Sequence, residues 1–178
     1  MTAALAAAKE AVLPQGEPRR TLCEALDRLG VTQQLRVKGT SQLVGDFGFA
    51  LHWTFALRYP VLAGGAVYDG RHPPPERDPF LAERVERRLG PELEAVGDAL
   101  VVPLGELATR AVRTLIDRGT LEPQRCLLGL PWDDRAGVPA AALAERLGEL
   151  APQVEQWRRW VQRRTFFSSD GAEWSDIG

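Results

Sequence analysis

Apolar positions along the chain fall into two kinds of run, helix-spaced and continuous. Leu22, Cys23, Ala25, Leu26 and Leu29 recur at three- and four-residue intervals, which predicts a helix with one buried stripe. Thr21 stands at its head with Glu24 three residues later, a capping-box spacing, and Gly30 is placed to end it. Phe80, Leu81, Val85 and Leu89 predict a second helix. Leu107, Ala108, Ala111, Val112, Leu115 and Ile116 predict a third, closing near Gly119. Ala140 to Leu150 reads as helical, and Pro152 is expected to open a separate last helix containing Trp157 and Trp160.

The continuous runs are different. Phe49 to Leu57, Ala99 to Val102 (stopped by Pro103) and Arg125 to Leu130 (stopped by Pro131) predict buried strands. Strands alternating with helices predict an α/β protein: a three-layer sandwich with a short, mostly parallel sheet flanked by helices. Ligands of such sheets sit at the carboxyl ends of the strands, here Arg58-Tyr59, Pro103-Leu104-Gly105 and Pro131-Trp132-Asp133-Asp134. Breakers at Pro14, Gly16 and Pro18 set off residues 1–20 as an N-terminal helix and linker. Residues 21–150 then form the α/β domain, and residues 151–178 a Trp/Arg helix with a polar tail. Gly39 to Gly48 reads as a loop. Tyr59 to Pro79, rich in Gly and Pro, is long enough for a functional loop such as a lid.

Composition acts here only by exclusion. At 178 residues, with 44 % hydrophobic and 26 % charged positions, the chain is long enough to bury a core and is not disordered as a whole. Its 22 basic and 24 acidic residues exclude a general polybasic coat for nucleic acid, though not a local patch. Cys23 and Cys126 sit in apolar runs and are read as reduced core thiols, which with the lack of a secretory leader or spanning segment predicts a cytoplasmic protein off the membrane. No Cys/His spacing suggests a metal, and no cofactor is expected.

Each candidate for chemistry carries an alternative. Asp133 and Asp134, adjacent at a strand end, either exchange protons with or pair with a cationic substrate such as an amine, or form a solvated turn or a salt bridge to Arg135. Trp132 either stacks on a ring or plugs a gap. Arg58 either holds an anionic group or pins the following loop. His52, on the predicted first strand, is a candidate for proton chemistry or a satisfied core residue. His72 in the proline-rich loop, with Tyr59 and Tyr68, either closes over a ligand or packs. Arg158, Arg159 and Arg163, interleaved with Trp157 and Trp160, either bind a nucleic-acid strand or form the solvated face of an amphipathic helix.

Four motifs in order carry a family resemblance. Ala56-Leu57-Arg58-Tyr59-Pro60-Val61 is followed by Val67-Tyr68-Asp69-Gly70, then Val102-Pro103-Leu104-Gly105, then Gly129-Leu130-Pro131. The stretch from Thr21 to Leu130 resembles the bacterial branch of the uracil-DNA glycosylase superfamily. The resemblance implies that family's α/β domain, with a base pocket at the strand ends. It also implies a His-Pro-Ser-Gly loop after the last strand, where this chain has Trp132-Asp133-Asp134-Arg135. Two carboxylates there repel a phosphate backbone and supply no imidazole beside a flipped base. The resemblance places Phe55 where the family has a polar base-recognition residue, and with one short helix before Thr21 the N-terminal water-activating segment is expected to be absent. The expectation is a degenerate pocket without base excision, holding or converting a small molecule. A partner subunit of a biosynthetic complex, or a second copy, would cover the apolar edge of a shortened sheet. The alternative is an inactive nucleic-acid-binding or interaction module.

Overall fold

The computed structural model describes residues 14–44, 47–57, 61–63, 65–68 and 72–169, and 61 % of the described residues are helical. The expected N-terminal helix over residues 2–13 and the tail beyond residue 169 lie outside them. Helix α1 (Glu17–Arg28) begins a turn earlier than its apolar stripe suggested, with Pro18 in the first turn, where no intrahelical N–H is needed. Thr21 is therefore inside the helix and caps nothing. It is followed by α2 (Val31–Leu35), 3₁₀ turns at Thr40–Leu43 and Gly48–Ala50, and a small antiparallel ribbon of β1 (Leu62–Ala63) and β2 (Ala66–Val67).

Asp78 opens α3 (Pro79–Arg84) by accepting from the Phe80 and Leu81 amides at 2.9 and 3.1 Å. A widened π turn, Val85–Leu89, carries the chain into α4 (Gly90–Ala95). Pro91, which has no N–H to offer the preceding turn, sits just past the widening that accommodates it. Then come α5 (Gly105–Asp117) and the long α6 (Ala140–Ser169). The last helix does not begin at Pro152 as expected: Pro152 lies within α6. There the Gln153 side-chain amide donates to the Glu149 carbonyl at 3.2 Å, supporting the backbone where proline interrupts it.

The expected α/β sandwich is not what the chain builds. Among the described residues the β1–β2 ribbon is accompanied by two isolated bridges, one of them parallel between Val101 and Cys126. The apolar stretch from Phe49 to Leu57 is no strand. It contains a 3₁₀ turn, it belongs to no ladder among the described residues, and Phe49 and Phe55 are 78 % and 54 % exposed. The runs at 100–104 and 126–132 do lie side by side, the Val101 amide donating to Arg125 O at 2.7 Å and the Leu127 amide to Val101 O at 2.9 Å. Their alternating side chains enter two helical clusters. Leu127, with Leu100 and Val102, packs with Leu22, Ala25, Leu150, Val154 and Trp157 of α1 and α6. Cys126, with Val101 and Leu128, packs with Val85, Leu89, Leu93, Val112 and Leu115. Helices cover both sides of this two-segment seam, so its apolar surface is buried without further strands.

Arg125 locks the seam. Its side chain is almost wholly buried, with Nη2 donating to Leu93 O at 2.9 Å and Nε to Ala99 O at 3.4 Å, and Glu122 lies 3.5 Å from Nη1. On the other side the Trp157 indole donates to Asp98 O at 2.9 Å. These contacts fix the loop at 96–100 and hence the position of the first seam segment.

Candidate functional site

Both seam segments end at one cleft of about 530 Å³. One segment passes through Pro103 and Leu104 into Gly105, where α5 starts; the other passes through Leu130 and Pro131 to Trp132. Gly105 has φ +82, a left-handed conformation that favours glycine, and a Cβ there would stand 3.7 Å from the Trp132 ring. The indole thus forms a wall directly over the first turn of α5. Glu106, Thr109, Arg110, Arg113, Thr114 and Asp117 line the cleft from α5, and Glu76 joins them from the proline-rich stretch. These helical positions are spaced by three and four, the face opposite the apolar stripe. That spacing was readable in the sequence, but nothing there said that this polar face looks into a cleft rather than bulk water.

The electrostatics of the wall are largely internal. Arg110 bridges Glu76 and Glu106, each at 2.8 Å, which ties the proline-rich stretch to α5 and raises the guanidinium pKa, the Glu106 hydrogen bond being the main cause. The Thr109 hydroxyl donates to Gly105 O at 2.8 Å and the Thr114 hydroxyl to Arg110 O at 3.0 Å.

Trp132 is held by the turn that follows it. Its Nε1 donates to Asp134 Oδ1 at 2.8 Å. Asp133 and Gly137 exchange two backbone hydrogen bonds of 2.7 Å, and Asp133 Oδ1 accepts from the Ala136 and Arg135 amides at 2.7 and 2.8 Å. The Ala136 and Arg135 amides, in that order, hold the Asp133 carboxyl below its ordinary range, with a smaller contribution from the Arg135 charge. Asp133 and Asp134 therefore have defined structural partners: one closes the turn and the other orients the indole. The turn is anchored on α1 by Thr21, whose hydroxyl oxygen lies 3.1 Å from Ala136 O and accepts from the Val138 amide at 3.0 Å. Capping-box spacing concealed that long-range role.

Other sequence candidates lie elsewhere. His52 Nε2 is 2.8 Å from Glu92 Oε1, while the Thr54 hydroxyl donates to Glu92 Oε2 at 3.1 Å, so this imidazole joins the 47–57 segment to α4. Tyr68 is buried and its hydroxyl donates to Pro73 O; His72 is exposed. Neither lines the cleft among the described residues, and Arg58 and Tyr59 lie outside those residues. On α6, Arg158 and Arg159 share the Glu155 carboxylate at 3.1 and 3.0 Å, Arg163 is exposed, and Trp157 is buried in the core. A second cleft beside α1 contains Arg19, Arg20, Cys23 and Asp27; there Asp27 accepts from the Thr40 amide, and burial raises the Cys23 thiol pKa.

The chain is similar to YoxB, an uncharacterized protein of Bacillus subtilis (strain 168), with 30 % identity over 148 residues, 83 % of this chain. The match covers 56 % of the relative, so the chain spans a little over half its length. No protein-family model matches the sequence, and no solved structure matches it. Among the described residues no helix is long and apolar enough to cross a membrane.

Proposed function

We propose that this chain is a small-molecule-binding protein whose site is the cleft between Trp132 and the polar face of α5, and that it does not excise bases. The observation that carries the reading is the convergence of two separate segments, 102–105 and 129–132, on one concavity of about 530 Å³ with an indole wall, within the size range of small-ligand sites. From the resemblance to uracil-DNA glycosylases it keeps only the adjacency of those two motifs, since among the described residues no such sheet is formed. The side chain after Pro131 is an indole turned by Asp134, with no imidazole following it. A cytoplasmic location belongs to the same reading, supported by the unpaired Cys23 and Cys126. A partner subunit is supported by the exposed Phe47, Phe49, Phe55, Leu62 and Phe80, although no shortened sheet supplies the reason.

The test is a survey of small ring compounds by amide chemical-shift mapping on the full chain. Shifts concentrated at residues 105–117 and 130–134, and lost in Trp132→Ala, are expected. Binding that maps elsewhere, or that survives the substitution unchanged, refutes the reading. Release of uracil from uracil-containing DNA by the purified chain refutes the second half of it.

A further inference from the structure

Taking the cleft as a ligand site, we infer that its affinity is set from outside it. Thr21 on α1 acts as a positioning residue for the indole wall, through the turn at 133–137 and Asp134. Thr21 is not among the described residues that line the cleft. Its hydroxyl nevertheless meets the turn twice: it lies 3.1 Å from Ala136 O, and it accepts from the Val138 amide at 3.0 Å. Carbonyls of its own helix are also within reach of the hydroxyl proton, Glu17 O at 3.1 Å and Pro18 O at 3.3 Å. The bond accepted from Val138 is therefore the tie that depends on this oxygen alone. The fit is close, since a Cβ on Gly137 would stand 2.1 Å from Thr21 Oγ1. Gly137 and Val138 are buried at this contact, whereas residues 133–136 are exposed.

From that anchor a short chain of bonds reaches the wall. Asp133 and Gly137 exchange two backbone hydrogen bonds of 2.7 Å, which closes the turn and fixes where residue 134 stands. Asp134 Oδ1 then accepts the Trp132 indole N–H at 2.8 Å. Core packing limits where the ring can go. The hydrogen bond selects its orientation, because Nε1 is the only donor on an indole. A ring already held in its binding orientation costs a ligand nothing to immobilise, whereas a loose one costs the entropy of fixing it. Loosening the turn at Thr21 thus weakens the ligand although no atom of the cleft is changed. The coupling runs both ways: a bound ring that needs the indole in place also favours the closed turn.

The experiment titrates the full chain with benzamide, an uncharged flat ring, following the amides of residues 105–117 and 130–134 and the Trp132 indole N–H. Thr21→Val keeps the branched shape but leaves the Val138 amide without its acceptor. It is expected to bind benzamide roughly two- to tenfold more weakly, the range for one side chain that must be immobilised again. It is also expected to lower the heteronuclear NOE of the indole N–H, and Thr21→Ser restores both. Asp134→Ala, at an exposed position, reproduces the loss; Asp134→Asn, which keeps an oxygen acceptor, reverses most of it. Thr21→Val combined with Asp134→Ala binds little worse than either alone, since both release the same indole. Wild-type affinity in Thr21→Val or in Asp134→Ala overturns the inference while leaving the cleft a ligand site. Losses that simply add, or a weakened affinity with the indole N–H unmoved, overturn it in the same way. Benzamide that moves none of these resonances in the wild type overturns both.

Discussion

Replacing Gly137 with alanine tests whether the turn bearing Trp132 is clamped to α1. Gly137 has φ +77, and a Cβ built there would stand 2.1 Å from Thr21 Oγ1, 2.6 Å from Pro18 Cα and 2.7 Å from Pro18 O. The left-handed backbone alone costs a non-glycine residue roughly 1–2 kcal/mol. Forcing a methyl against a helix backbone adds about 1–3 kcal/mol, because Pro18 lies in the first turn of α1 and cannot turn aside like a side chain. The expected loss is about 2–5 kcal/mol, which for a chain of this length lowers Tm by about 5–15 °C. Urea and thermal unfolding followed by circular dichroism measure it. Adding Thr21→Ala removes the nearest obstructing atom but not Pro18, so the double variant should remain well below the wild type. A Gly137→Ala protein within about 0.5 kcal/mol of wild type, or one fully restored by Thr21→Ala, refutes the clamp.

Further outcomes follow from other contacts. Arg125→Met removes the buried fork from Leu93 O and Ala99 O and should cost about 2–4 kcal/mol in urea unfolding, with Arg125→Lys recovering only part; a neutral result contradicts the seam lock. Burial pushes the Cys126 thiol up to about 12, so at pH 8 it should resist a disulfide reagent in the native protein and react on unfolding; rapid native labelling of both cysteines contradicts this. The Asp133 carboxyl is lowered in the folded protein by the Ala136 and Arg135 amides, so its contribution to stability is present above the unfolded carboxylate pKa and lost as pH falls through the folded value. Asp133→Ala should remove that part of the acid sensitivity, and an unchanged pH profile contradicts the turn's role. Trp157→Phe loses the bond to Asp98 O within the core and should cost about 1–2 kcal/mol, measured by the same unfolding curves.

The sequence made helices legible where apolar stripes were strongly periodic. The stripe from Leu107 to Ile116 is α5, and that from Leu22 to Leu29 lies on α1. Continuous apolar runs were less informative, because such a run reports burial on both sides and not hydrogen bonding to a neighbour. The runs at 100–104 and 126–132 are buried between two helical clusters as that pattern requires, yet meet in a single parallel bridge. Phe49 to Leu57 misled for another reason: aromatic residues imply burial only if a partner surface exists, and Phe49 and Phe55 are exposed. Pro152 misled because proline penalties are local, whereas the apolar face of α6 continues on both sides of it through Leu150, Val154 and Trp157.

At the site the sequence pointed to Trp132 and to the ends of the two apolar runs beside it; its candidates Asp133 and Asp134 take part in the turn that holds the indole. Adjacent Asp133 and Asp134 look reactive on paper; the backbone amides and the indole that engage them come from the closure of the turn. The polar residues that do line the cleft, from Glu106 to Asp117, looked like an ordinary solvated helix face. Only the approach of Trp132 over Gly105 turns that face into a wall.

The most direct test of that wall is a crystal of the full chain soaked in a ring compound whose binding in solution shifts the amides of residues 130–134. Density lying against the Trp132 indole, within the cleft lined by α5, is expected. Density only elsewhere, or an empty cleft at concentrations that saturate the protein in solution, contradicts it.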